Sequence, residues 1–458
     1  MVLLAAGALA ASAGDWRQRT IYQLLTDRFA RGNGDNSPCG DIRNYCGGTF
    51  KGIESQLDYI AGMGFDAIWI SPVVANTPGG YHGYWAQDLY SINSNFGTAQ
   101  DLKDLVTACH NKGIWVMADV VCNHVGPVGY DYSTIKPFND ASDYHNCNSC
   151  PPGCSINFGS SDQNQVELCR LAGLPDLNQS NPFVANTLVS WAQQLISTYE
   201  FDGLRIDTVP EVSKTFWTQF SQGTGAFAIG EVFDGRVDYV AGYQGPVSSV
   251  LSYPLYFTIT NVFARQQSMR QIESTLSAYN TYFKDTSVLG TFLENHDNPR
   301  FKNMQGDNTL YKAALTFSLM ARGIPIIYYG AAQGFNGGAD PNNREPLWTT
   351  NFNTNTELYK YISSVINIRK SKNIQALDQV QRYADDQFYA FTRGTEVFVA
   401  TTNVGSNGPQ IVRQITYQPF ADGTKLCNLL FSGDCITVTK GSFTVYLNNG
   451  ETKIFAPA

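Results

Sequence analysis

The sequence predicts an α/β protein: a (β/α)8 barrel, a small domain inserted after the third strand, and a C-terminal antiparallel β-sandwich. Three observations lead there. Eight apolar runs read as buried parallel strands, and most follow a helix-like stretch. One Cys-, Gly- and Asn-rich stretch, 122–177, is far too long for a plain loop. After about residue 372 the pattern changes to short alternating runs.

The eight runs, in order, are "IYQLLTDRF" (21–29), "FDAIWISPV" (65–73), "GIWVMADVV" (113–121), "FDGLRIDTV" (201–209), "AFAIGEVF" (226–233), a weaker "VLSYPLYF" (250–257), "VLGTFLENHD" (288–297) and "GIPIIYYG" (323–330). Helical periodicity precedes them in "IESQLDYIAGMG", "AQDLKDLVTACHNKG", "VANTLVSWAQQLISTYE" and "NTLYKAALTFSLMARG". Three of these close on glycine, a helix stop signal. The predicted barrel spans 14–121 and 178–372, and the sandwich spans 373–458. The sandwich strands lie in runs such as "QFYAFTRG", "EVFVATTNVG" and "GSFTVYLNNG".

Composition narrows the class. The 458 residues are 43% hydrophobic and 15% charged, which fits a packed soluble chain and not disorder. Net charge is −8 and there is no basic block, so neither nucleic acid nor an anionic membrane is an expected partner. No later segment has the apolar length of a membrane span. The start, "MVLLAAGALAASAGDW", has an apolar run and a small-residue cleavage site at Ala11-Ser12-Ala13, so 1–13 reads as a signal peptide. No Lys or Arg precedes that run, so the leader is expected to be truncated. Secretion suits ten cysteines. Cys39 and Cys46 can close one small loop and Cys427 and Cys435 another. Cys147, Cys150, Cys154 and Cys169 crowd the insert, with no histidine at zinc-ligand spacing. Cys109 and Cys122 sit in apolar contexts, and "NQS" at Asn178 is a glycosylation acceptor.

The chemistry-bearing residues collect at the strand ends, where barrel active sites lie. The third run carries Asp119 near its end, with Asn123 and His124 just beyond it, and the fourth carries Arg205 and Asp207. The fifth carries Glu231 and Asp234, and the seventh Asn295, His296 and Asp297. Acids on several strand ends at one rim suit glycoside hydrolysis, which needs one carboxylate to attack and one carboxylic acid to protonate the leaving oxygen. Arg205 shares a strand face with Asp207 (i, i+2) and is expected to lower its pKa. Glu231 follows apolar "FAIG", a setting expected to raise its pKa.

Four segments, "DVVCNH" (119–124), "GLRIDTV" (203–209), "GEVFD" (230–234) and "FLENHD" (292–297), resemble those of the α-amylase family of retaining glycosidases, and "LPDL" (174–177) resembles a fifth. The likeness is greatest to secreted fungal members and runs from "GDWRQRTIYQLLTDRFAR" to the terminal β domain. It implies Asp207 as nucleophile, Glu231 as general acid/base and Asp297 as transition-state stabiliser, with Arg205 orienting Asp207. It implies that His82, Tyr84 and Trp85 of "YHGYW", with His124 and His296, bind the sugar at the cleavage point, and that Asp340 and Arg344 bind the next one. It implies a structural Ca2+ held by the side chains of Asn123 and Asp176 and the carbonyls of Glu167 and Glu211, an all-oxygen set that suits calcium. The implied activity is endo-hydrolysis of α-1,4-glucans (starch, glycogen and malto-oligosaccharides) by a secreted enzyme, expected to be a monomer.

The chain departs from the fungal pattern after "RIDTV", where Lys-His is usual and Pro210-Glu211 stands. The lysine would contact the sugar beyond the scissile bond. The segment between Cys169 and "LPDL" is also shorter than usual. No starch-binding module follows residue 458, so raw granules are not an expected substrate. Three alternatives stay open: a transferase, an α-1,6-acting relative and a catalytically silent glucan binder. A metal-dependent barrel hydrolase would need His-rich strand ends, which the runs lack.

Overall fold

The structure, a computed structural model, describes residues 11–458. Eight parallel strands form its centre: β1 (Ile21–Leu24), β2 (Ala67–Ile70), β3 (Trp115–Val120), β4 (Gly203–Ile206), β5 (Ala228–Gly230), β6 (Ser249–Val250), β7 (Gly290–Phe292) and β8 (Ile324–Tyr328). They neighbour one another in the order β6-β5-β4-β3-β2-β1-β8-β7. A parallel bridge between Leu251 and Gly290 joins the two ends and closes the ring. The apolar runs show no alternation because both strand faces are buried. Ile21, Ala67, Trp69, Met117 and Ile326 fill the interior with Phe292, while Tyr22, Ile68, Val116, Leu204 and Ile327 pack outward. Helices cover the outside, as in Ala99–Asn111, where Thr98 and Asp101 form a reciprocal cap.

One sequence expectation changes. Only Val250 of the sixth run is strand, as the second residue of Ser249–Val250, and the chain enters a helix at Tyr253–Ile259. Pro254 favours a first helical turn, and the segment reads as uniformly apolar because almost all of it is buried. The helix Pro182–Tyr199 ends without glycine: Glu200 itself takes the left-handed conformation at φ 59°.

The segment 122–177 leaves and returns side by side, through the antiparallel bridge His124–Asp176. Disulfides Cys147–Cys154 and Cys150–Cys169 tie it. Cys39–Cys46 and Cys427–Cys435 also pair, and Cys109 and Cys122 are free and buried.

The C-terminal part has a six-stranded antiparallel sheet facing a two-stranded one, Ile411–Ile415 with Phe443–Leu447. Phe388, Phe398 and Leu426 meet Ile411, Val445 and Leu447 between them. Arg393 docks this part by donating to the carbonyls of Met320 (2.7 Å), Ala321 (2.8 Å) and Ile374 (2.7 Å). Phe317 meets Tyr389 and Phe391 edge-on.

Of the expected leader, Val2 to Ala10 lies outside the described residues. Ser12 caps the short helix Ala13–Trp16 and exchanges hydrogen bonds with Asp15.

Candidate active site

Strand register makes the centre of the site. β3 and β4 align Asp119 with Arg205. Arg205 Nη1 donates to Asp119 Oδ1 (2.9 Å) and to Asp207 Oδ1 (2.7 Å). Its Nη2 lies 2.7 Å from Glu231 Oε2, in ion contact though off hydrogen-bond alignment. One fully buried guanidinium therefore holds acids from three strands. Thr208, left-handed at φ 48°, turns the chain after Asp207 and aims its N–H at Glu231 Oε2 (3.3 Å). Tyr253 donates to Glu231 Oε1 (3.1 Å) and accepts from Asn295 (2.8 Å).

Burial dominates the proton equilibria. It pushes Glu231 up to about 8; Arg205 opposes that, and Asp207 and Asp297 add to it. The expectation for Asp207 is corrected. Arg205 does pull its pKa down, but burial outweighs that, Asp119 and Asp297 reinforce burial, and the carboxyl rises to about 6. Burial also raises Asp297, against Arg344 and Arg205. His124 is pushed down to about 4 by burial, and His82 and His296 well below their usual value, so all three are neutral imidazoles near pH 7.

Around this centre lies a cavity of about 730 Å³, lined by His82, Tyr84, Trp85, His124, Asp207, Glu211, Glu231, His296, Asp297, Asp340 and Arg344. Tyr84 stacks parallel to His296 at 5.2 Å and donates to Asp119 Oδ2 (2.7 Å). Gly83, at φ 91°, turns the chain between His82 and Tyr84, and a Cβ there would lie 2.5 Å from the Pro72 carbonyl. His124 Nε2 meets the Tyr84 carbonyl (3.2 Å). His296 Nε2 lies 3.3 Å from Asp297 Oδ2, and Arg344 reaches Asp340 (3.0 Å) and Asp297 (3.6 Å). One cavity thus brings together His82, Tyr84, Trp85, His124, His296, Asp340 and Arg344, all of which the sequence singles out.

Three of the implied metal ligands meet at Asn123. The inward amide position of Asn123 lies 2.9 Å from Asp176 Oδ1 and 3.2 Å from the Glu211 carbonyl. With its oxygen inward, three acceptors face one another, an arrangement that a hard cation neutralises. With its nitrogen inward, two hydrogen bonds satisfy the same atoms. For Glu167 the implied ligand is its main-chain carbonyl; its carboxylate accepts from Gln163 Nε2 (3.0 Å).

Sequence reasoning passed over Tyr253, which it read as strand, and also Phe158, Phe233, Arg236 and Tyr239 on the cavity wall. Phe158 and Phe233 are exposed large apolar side chains. Nothing in a lone loop aromatic signals that it faces a cleft.

A family described as "Alpha amylase, catalytic domain" matches residues 23–348. The chain belongs to the α-amylase family. Alpha-amylase 2 of Schwanniomyces occidentalis is 40% identical, across 99% of this chain and 92% of that protein. The solved α-amylase of Malbranchea cinnamomea superposes with a TM-score of 0.93 at 38% identity, covering 98% of each chain. The α-amylase of Geobacillus thermoleovorans, solved with acarbose, gives 0.85 at 30% identity, over 96% of this chain and 98% of that one. The barrel with its C-terminal antiparallel sheets is the α-amylase fold, and the chain is a glycoside hydrolase of this family.

Proposed function

We propose that this protein is a secreted, endo-acting α-1,4-glucan hydrolase that cleaves starch, glycogen and malto-oligosaccharides with retention. The observation that carries the reading is Arg205 gripping Asp207 and Glu231 on neighbouring nitrogens, 2.7 Å to each. Carboxyls held side by side suit a retaining pair better than the wider inverting one.

In this reading, Asp207 attacks the anomeric carbon while Glu231 gives its proton to the leaving oxygen. Glu231, now a carboxylate, then takes a proton from the water that releases the sugar from Asp207. The raised pKa of Glu231 keeps it protonated near neutrality while Asp207 is ionised. Asp297 stabilises the transition state from the sugar's hydroxyl side. His82, Tyr84, Trp85, His124 and His296 bind the sugar at the cleavage point, and Asp340 and Arg344 bind the next. The inserted domain at 122–177 forms one wall of the cleft.

Asn123, Asp176 and the Glu211 carbonyl would hold a Ca2+, which when bound clamps the insert to the barrel. Four disulfides support an oxidising, extracellular setting. Among the described residues no helix is long and apolar enough to cross a membrane.

The test is digestion of soluble starch and maltoheptaose, reading viscosity, product size and anomeric form. Rapid viscosity loss with α-anomeric short products is expected. Glu231→Gln should lower kcat by at least about a hundredfold, the scale of general acid catalysis. β-Anomeric products would refute retention, and products longer than the substrate would mark transfer.

A further inference from the structure

A carboxylic acid has two oxygens, and only the one that carries the proton can serve a leaving group. The hydrogen bonds around Glu231 select that oxygen. Asn295 Oδ1 accepts from the N–H of Asp297 (3.1 Å), the N–H of Asn298 (3.0 Å) and Asn298 Nδ2 (2.9 Å). Three donors fix the amide oxygen on that side, so Asn295 Nδ2 faces Tyr253 and donates to its hydroxyl at 2.8 Å. A phenol has one proton, and an amide nitrogen accepts none. The Tyr253 proton therefore goes to Glu231 Oε1, at 3.1 Å. Oε1 is held as an acceptor, and the acid proton of Glu231 falls to Oε2.

The hydroxyl is placed by its surroundings. Tyr253 opens the helix Tyr253–Ile259 just after β6 and is fully buried. Tyr279 Oη ties that first turn, meeting Ser252 Oγ (2.7 Å) and accepting from the Leu255 N–H (3.0 Å). Phe233 at 4.5 Å and Phe292 at 5.0 Å pack against the ring, which leaves it little room to turn. Four charged side chains act on Glu231: Arg205, Asp207, Asp297 and Glu211. Arg205 is shared with Asp119 and Asp207, whereas the Tyr253 hydroxyl donates to Glu231 alone among the described residues.

We propose that Tyr253, directed by Asn295, is a positioning residue for the general acid: it keeps the Glu231 proton on Oε2 and meets at Oε1 the charge that appears when that proton leaves. In that step the bond from the anomeric carbon to the leaving oxygen breaks. The oxygen keeps the bonding pair and takes the Oε2 proton, and an Asp207 oxygen supplies the pair that bonds the carbon. The charge left on Glu231 spreads over both its oxygens, and a hydrogen bond to a charged acceptor is the stronger one. Because Asn295 also holds the Asp297 N–H, one hydrogen-bonded strap joins the ends of β7 and β5. The inference rests on the hydrolase reading given above.

The test compares kcat/KM of the full chain on maltoheptaose and on α-maltotriosyl fluoride. The sugar leaving group of maltoheptaose needs a proton, and fluoride departs without one. Tyr253→Phe keeps the ring and removes the hydroxyl. It should lower kcat/KM on maltoheptaose at least about tenfold, the scale of a misplaced general acid, and change it on the fluoride by less than about twofold. The ratio of the two does not depend on how much of a preparation is folded. Asn295→Ser, which frees the Tyr253 proton to turn away from Glu231, should lower the same ratio. A ratio left unchanged in either variant would overturn the inference while leaving hydrolysis standing. Failure of the unaltered protein to cut maltoheptaose would overturn the hydrolase reading itself.

Discussion

Replacing Asp119 with asparagine should carry activity to lower pH. Asp119 is buried, yet it accepts from the same Arg205 Nη1 as Asp207, at 2.9 and 3.0 Å against 2.7 Å. The two carboxyls are therefore no more than about 6 Å apart, and at an effective dielectric of about 20 their repulsion is roughly 3 kcal/mol, or about two pKa units. Part of that is offset in the variant, because the amide nitrogen faces the guanidinium. Burial also lifts Asp119 to about 6, so it is only partly ionised where Asp207 titrates, and the net fall expected for Asp207 is about one unit. In the proposed mechanism Asp207 attacks as the carboxylate, so activity is lost as pH falls through its folded pKa, now about 6. Lowering that pKa extends the acid limb downward. The assay is kcat/KM on an aryl maltotrioside from pH 3 to 8. An acid limb that stays in place or moves upward would refute the reasoning.

Three further outcomes are expected. Calcium should raise the melting temperature of the native chain, and Asp176→Asn should abolish that increment; equal increments would remove Asp176 from the ion's shell. His110 pairs with Asp202 at 2.9 Å, which raises its pKa. That stabilisation is full below the unfolded value near 6.5 and is lost as pH rises through the folded one, so His110→Gln should destabilise by up to about 1 kcal/mol at pH 5.5 and by nothing at pH 9. Phe317→Ala, between the barrel and the C-terminal sheets, should cost about 3–5 kcal/mol in denaturant unfolding.

Much of the site is legible in the sequence because it breaks the strand pattern. Arg205, Asp207, Glu231 and Asp297 stand out within or just after runs that otherwise bury only apolar groups. Eight strands are legible for the same reason, although the sixth shrinks to two residues because Pro254 starts a helix. What depends on register is not legible. The rise in the pKa of Asp207 needs Asp119 beside it, and a strand pairing that no local pattern reveals sets that contact. Tyr253 reaches Glu231 from the helix just after β6. Closely spaced cysteines pair as their spacing suggests, whereas the four in the insert allow three connectivities and only the fold chooses Cys147–Cys154 with Cys150–Cys169.

The cavity wall has a bearing on which glucans the enzyme will refuse. Asp207, Glu211, Glu231, Asp234, Asp297 and Asp340 all face it, and its two arginines are already engaged, Arg236 by Asp234 and Arg344 by Asp340. Uncharged glucose units pass among these carboxyls without penalty. A phosphate ester on a glucose near the scissile bond would meet repulsion from the ionised carboxylates, while both cavity arginines already carry carboxylate partners. Digestion of phosphorylated starch should therefore stall beside each ester and leave short, phosphate-enriched fragments behind.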